Sequence, residues 1–155
     1  MKSVDSWMDE YADSHQHPVN KLIHSLCIPL IILSLAGMLW VIPFPDITLS
    51  LFVLNWATIF LFFTLVYYFF LSWRLAIGML IYALIVYALM LWLESAGTKL
   101  GQLSVILFFL AWTGQFMGHS IERKRPSFFQ DIQFLLIGPL FLMRDLYRRL
   151  GIADK

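Results

Sequence analysis

Four stretches without a single charged residue, 25–45, 47–73, 75–93 and 100–118, divide this chain of 155 residues, and each is 19 residues or longer. A helix rises about 1.5 Å per residue, so about 20 residues cross the ~30 Å hydrocarbon core of a bilayer. Lipid offers no partner to unpaired backbone groups, so helices are the natural form for such runs. Alternating polarity, which a lipid-exposed barrel needs, is missing from them. The composition agrees: 60% of residues are hydrophobic and 14% charged, too apolar for a soluble domain of this size and for a disordered chain. Eleven basic against ten acidic residues leave a net charge of +1, which gives no footprint for nucleic acid. With one cysteine, Cys27, there is neither an internal disulfide framework nor a Cys-rich zinc site.

The expected architecture is a single all-α integral membrane domain over 1–155. A polar segment 1–20 precedes four transmembrane helices at about 24–43, 48–71, 75–94 and 101–119. Pro43, Pro45 and Asp46 break the first span from the second, and Ser72–Arg74 links the second tightly to the third. Phe134–Met143 is apolar but only ten residues long, with Gly138 and Pro139 inside. That is short for a span, so 127–150 is expected to be an interfacial or re-entrant helical segment. Asn55, inside the second span, is expected to make a polar contact between helices. Trp40, Trp73 and Trp92 fall near predicted helix ends, as interfacial aromatics do.

Basic residues choose the orientation. With four spans, Lys2, Lys21, Arg74, Arg123, Lys124, Arg125, Arg144, Arg148, Arg149 and Lys155 share one side, and Lys99 stands on the other. The positive-inside rule then makes both termini cytoplasmic. The polar start is not a signal peptide, so the first helix is expected to insert uncleaved. The compact chain reads as a bacterial inner-membrane protein, or one of the endoplasmic reticulum if eukaryotic.

Polar groups kept at apolar addresses mark function in a membrane protein. Three histidines lie in the run His15-Gln16-His17-Pro18-Val19-Asn20-Lys21-Leu22-Ile23-His24. Pro18 suits the first turn of a helix, and Asn20 and His24, four apart, share a face. The second cluster, Gln115, His119 and Glu122, forms one stripe at the end of the fourth helix. By the expected topology both clusters reach the same membrane face at the same depth. Three or four imidazoles with a carboxylate suit zinc, iron, copper or nickel, and two histidines with one carboxylate are a recurrent minimum for Fe(II) oxygen chemistry. The competing reading is a membrane scaffold or lipid-binding protein whose histidines only staple helices. A small transporter or channel is disfavoured by spans without a polar stripe. Ser25 and Ser120 each neighbour a histidine, but no Gly-x-Ser-x-Gly elbow surrounds them.

These residues carry a resemblance. Tyr11, the run His15–His24 and Pro29 look like the opening motif of the Mpo-like family. Gln115-Phe116-Met117-Gly118-His119-Ser120-Ile121-Glu122-Arg123-Lys124-Arg125-Pro126 resembles its second motif, and Asp131 with Leu136–Pro139 continues the match. The resemblance covers nearly the full chain. It implies a Fe(II)-dependent dioxygenase of fatty acid α-oxidation, which takes a 2-hydroxy fatty acid and O2 and returns an acid one carbon shorter. In yeast such activity serves phytosphingosine breakdown at the endoplasmic reticulum. By motif position His15, His24 and His119 would hold the iron. His17 matches a position that varies between His and Asn, and is carried as an additional candidate ligand. Glu122 would be a ligand or base, Asn20 and Gln115 would orient imidazoles, and Arg123 or Lys124 could steer the substrate carboxylate. Iron comes from the resemblance; the residues themselves allow zinc equally.

Overall fold

The computed structural model describes residues 3–13, 15–45, 47–49, 52–121 and 128–152. The elements in chain order are α1 (Val4–Asp13), α2 (Pro18–Trp40), β1 (Ile47–Leu49), β2 (Phe52–Leu54), α3 (Trp56–Leu71), α4 (Trp73–Ser95), α5 (Leu100–Ile121) and α6 (Phe128–Arg149). Three of them, α2, α4 and α5, are long and apolar enough to cross a membrane. Their outward faces carry side chains such as Leu26, Ile81, Leu84, Ile85, Phe109 and Leu110 in the open. A water-soluble fold would bury these; a lipid-embedded one need not.

The second apolar run is where structure and sequence reading part. The described part of residues 48–55 is not helical. Ile47–Leu49 and Phe52–Leu54 pair as an antiparallel hairpin with Thr48 opposite Val53, and α3 begins only at Trp56. Asn55 does not bridge helices but starts one. Its Oδ1 accepts from the Thr58 N–H at 3.0 Å, and its own N–H donates to Thr58 Oγ1 at 2.9 Å. This reciprocal cap satisfies two donors that a helix N-terminus otherwise leaves unpaired. An apolar run alone does not distinguish a buried strand from a helix. The β-branched Ile47, Thr48 and Val53 suit the pleat. What remains helical in α3 is 16 residues, about 24 Å long.

Polar contacts at both ends fix the helix directions. Trp40, which closes α2, donates its indole N–H to Glu94 Oε2 near the end of α4 at 3.2 Å. Trp40 is therefore a buried, paired side chain rather than an interfacial one, whereas Trp73 and Trp92 are exposed. In mid-helix, Tyr82 of α4 donates to the Pro29 carbonyl of α2 at 2.8 Å. Thus α2 and α4 run parallel, and α3 must return the chain between them. Ser72 ends α3 and caps α4 with its hydroxyl, so the reversal takes one residue.

The most extensive helix pairing is α2 with α5. Gly37 faces Ser104, Gly114 faces Cys27, and Gly118 faces Asn20, so the two helices are antiparallel. Between helices in lipid there is no hydrophobic driving force, and small residues that allow close approach supply packing instead.

Outside this bundle, α1 and α6 cover the end where α2 starts. Tyr68 of α3 donates to the Leu136 carbonyl of α6 at 2.7 Å, and Tyr147 of α6 donates to the Arg74 carbonyl at 3.0 Å. Buried Arg144 of α6 reaches Asp5 of α1 at 2.6 Å. Leu140, Met8, Tyr68, Leu75 and Met79 pack together beneath. Placing a methyl at Gly37 would drive it into Ser104. Gly37→Ala is expected to destabilise the bundle by about 1–3 kcal/mol, read as a lower thermal midpoint in detergent. Ser104→Ala in the same chain should restore part of it. Asp5→Ala, which takes the carboxylate from a buried guanidinium, should cost about 1–3 kcal/mol by the same measurement.

Candidate metal centre

Three imidazoles meet where α2 starts and α5 ends. His15 sits in the connection between α1 and α2, His24 in the second turn of α2, and His119 in the last turn of α5. His15 and His24 are each only 3% exposed. Ring centroids are 4.3 Å apart for His15 and His24, 5.0 Å for His24 and His119, and 5.6 Å for His15 and His119. One nitrogen from each ring lies within 4.8 Å of the other two. Among the described residues this is the group of histidine, cysteine and carboxylate side chains with metal-holding geometry.

The local sequence holds each ring. His15 Nδ1 donates to the Tyr11 carbonyl at 2.8 Å. A carbonyl only accepts, so the proton is on Nδ1 and the neutral ring turns the lone pair of Nε2 to other use. Tyr11 also stacks on His15, with centroids 3.9 Å apart and planes 5° from parallel. Tyr11 in turn packs against Phe141 of α6. Asn20, wholly buried, is one turn before His24 and lies against Gly118, the neighbour of His119. A Cβ at residue 118 would strike Asn20, and it would come within 3.6 Å of His24 Cε1. Glycine at 118 is thus what lets Asn20, one turn before His24, sit against the last turn of α5.

The rings open onto a cavity of about 40 Å³. Tyr11, Ile28, Ile31, Trp112, Gln115 and Leu135 complete its lining. Its walls are apolar apart from the imidazoles, the Gln115 amide, the Tyr11 phenol and the Trp112 indole. That volume admits a few atoms. The donor set of three imidazole nitrogens, one ring with its Nδ1 proton already placed, fits a borderline divalent cation such as Fe(II) or Zn(II). A single ion holds imidazole nitrogens at about 2.1 Å, so binding would draw these rings slightly together.

The sequence candidates divide cleanly. His15, His24 and His119 come together, with Asn20 and Gln115 beside them. His17 does not join them. It is exposed at the N-cap of α2, where its Nδ1 accepts from the Val19 N–H at 3.2 Å. Glu122, Arg123 and Lys124 lie outside the described residues. Ser25 and Ser120 donate to the carbonyls of Leu22 and Phe116 and take no part. Tyr11 had entered the sequence reading only as part of a motif; its stacking on His15 depends on the α1–α2 connection. Trp112 was not singled out there, although Trp112, Gln115 and His119 stand at i, i+3 and i+7 on one face of α5.

Tyr11→Ala would remove a buried ring from beneath His15. It should lower stability by about 3 kcal/mol in thermal unfolding, and Tyr11→Phe, which keeps the stack, should cost less than half of that.

Comparison with known proteins gives a consistent picture. A Saccharomyces cerevisiae protein named 2-hydroxy-palmitic acid dioxygenase MPO1 is 27% identical over 147 residues, covering 94% of this chain and 80% of the yeast protein. No solved structure matches. The family described as 2-hydroxy-palmitic acid dioxygenase Mpo1-like matches residues 1–150, and by that match across nearly its whole length the chain belongs to the Mpo1-like family.

Proposed function

We propose that this chain is a membrane-embedded, iron-dependent dioxygenase that converts 2-hydroxy fatty acids, with O2, to acids one carbon shorter. The observation that carries the reading is the convergence of His15, His24 and His119 from two motifs far apart in the sequence. A yeast relative named for dioxygenation of 2-hydroxy-palmitic acid supplies the substrate class. Iron at the three nitrogens would supply the centre at which O2 and the oxygens of the substrate head are brought together.

The chain's own groups supply the rest. The Tyr11 carbonyl fixes the His15 tautomer, and the Tyr11 ring fixes its plane. We assign Asn20, which packs beside His24, and Gln115, which lines the cavity one turn before His119, the role of supporting the ligand set. Ile28, Ile31 and Leu135 give the cavity an apolar wall that suits the first carbons of an acyl chain and keeps out bulk water. We assign Glu122, which follows α5 in sequence, the role of further ligand or base. Arg123 or Lys124 would draw the carboxylate toward the site.

The membrane reading joins to this. If α2, α4 and α5 span, then α3 must carry the chain back across, with the hairpin completing the shorter crossing. Lys21, Arg74, Arg144, Arg148 and Arg149 would then lie at the histidine end and Lys99 opposite. That end is cytoplasmic by the positive-inside rule, and the site opens where a fatty acid head meets water.

Anaerobic purification in mild detergent with elemental analysis tests the assignment. About one iron per chain is expected. His24→Ala and His119→Ala should lose the iron and at least about 100-fold of oxygen uptake with 2-hydroxypalmitate. His17→Ala should keep both. Stoichiometric zinc that Fe(II) does not replace would move the chemistry toward hydrolysis. No metal in any form, with only stability lost in the variants, would favour a helix-stapling scaffold.

A further inference from the structure

Trp112 is the cavity residue that the metal assignment leaves without a task. It lies on α5 seven residues before His119, two turns further into the bundle, and it lines the same cavity as the three imidazoles. Its ring is wedged between Phe108 and Phe116, with centroids 6.0 and 5.7 Å away. Its Nε1 is shielded from solvent and has no hydrogen-bond partner among the described residues.

A buried indole N–H without a partner is unusual, because tryptophan generally finds an acceptor when its nitrogen leaves water. Trp40 in this same bundle does so with Glu94. The indole nitrogen only donates, so whatever completes it must be an acceptor, and the strongest acceptors are anionic oxygens. The other polar groups lining the cavity are imidazoles, an amide and a phenol, with no Lys or Arg among them. Apart from an ion at the imidazoles, a carboxylate entering here would therefore lean on neutral donors. The apolar side chains Ile28, Ile31 and Leu135 around it hold the dielectric low, which strengthens such a bond.

We propose that Trp112 Nε1–H is the donor that receives the carboxylate of the 2-hydroxy acid, making Trp112 a substrate-binding and specificity-determining residue. This rests on the substrate class proposed above. Trp112 selects acids over the corresponding alcohols from a position two turns before His119 on the same face of α5.

The test is anaerobic calorimetric titration of the iron-loaded protein in nanodiscs with 2-hydroxypalmitate and, separately, with 1,2-hexadecanediol, which has no carboxylate. Trp112→Phe keeps an aromatic ring and removes the N–H. It should retain iron and weaken 2-hydroxypalmitate binding about 10- to 100-fold, while diol binding changes less than about twofold. Replacement of Trp112 by 3-benzothienylalanine, which keeps the bicyclic shape and puts sulfur in place of N–H, should give the same pattern even where Phe packs poorly. Unchanged 2-hydroxypalmitate affinity in both variants would overturn the assignment and leave the nitrogen to a bound water. Equal losses for acid and diol would also overturn it, since shape rather than the N–H would be at work. If the wild-type protein holds iron but binds neither ligand, the 2-hydroxy acid reading itself fails and takes the Trp112 assignment with it.

Discussion

The close approach of α2 and α5 is the contact on which the rest depends. Where Gly37, Gly114 and Gly118 of one helix or the other carry no side chain, Ser104, Cys27 and Asn20 fill the space. Lipid gains nothing from squeezing apolar surfaces together, so this fit and a few buried hydrogen bonds must hold the pair. The same fit brings the start of α2, which carries His24, against the end of α5, which carries His119, with Asn20 seated on Gly118. Stability of the bundle and geometry of the candidate site therefore share their residues. A change that loosens the seam at its histidine end would be felt in both.

Around the seam the other elements have distinct tasks. α4 is tied to α2 at mid-height by Tyr82 and at the far end by the Trp40–Glu94 bond. α3 fills the remaining side and sends Tyr68 to α6. α1 and α6 close the histidine end, locked by Arg144 with Asp5 and by the Tyr11–Phe141 contact. The third imidazole is presented by this cover. His15 depends on the Tyr11 carbonyl and ring, and so on α1 being docked. Two of the three imidazoles thus come from the α2–α5 pair and one from the cap.

Much of this was legible in the chain. Charge-free runs located α2, α4 and α5, and the pairing of two polar clusters at one face followed from counting spans. It failed where the physics is local and quiet. Asn55 read as a polar group inside a span because its neighbours are apolar on both sides, yet it caps a helix with Thr58. The hairpin before it is as apolar as a helix and differs only in branching at Cβ. Trp40 read as interfacial by its position near a helix end, but Glu94 stands within reach only once α2 and α4 lie side by side. His17 read as one more histidine in a cluster, and a helix start claimed it as a cap.

The sequence by itself determined that the chain is helical and apolar enough for lipid, where α2, α4 and α5 lie, and which two motifs carry imidazoles. These follow from hydropathy, length and spacing, all properties of neighbours along the chain. Tertiary structure alone decided how closely His15, His24 and His119 meet, that Tyr11 sets the tautomer of His15, and that Trp112 lines the same cavity. Those facts depend on how near α2 and α5 can come and on where the α1–α2 connection folds back. Both are settled by side chains far apart in sequence fitting into one another, which no local pattern records.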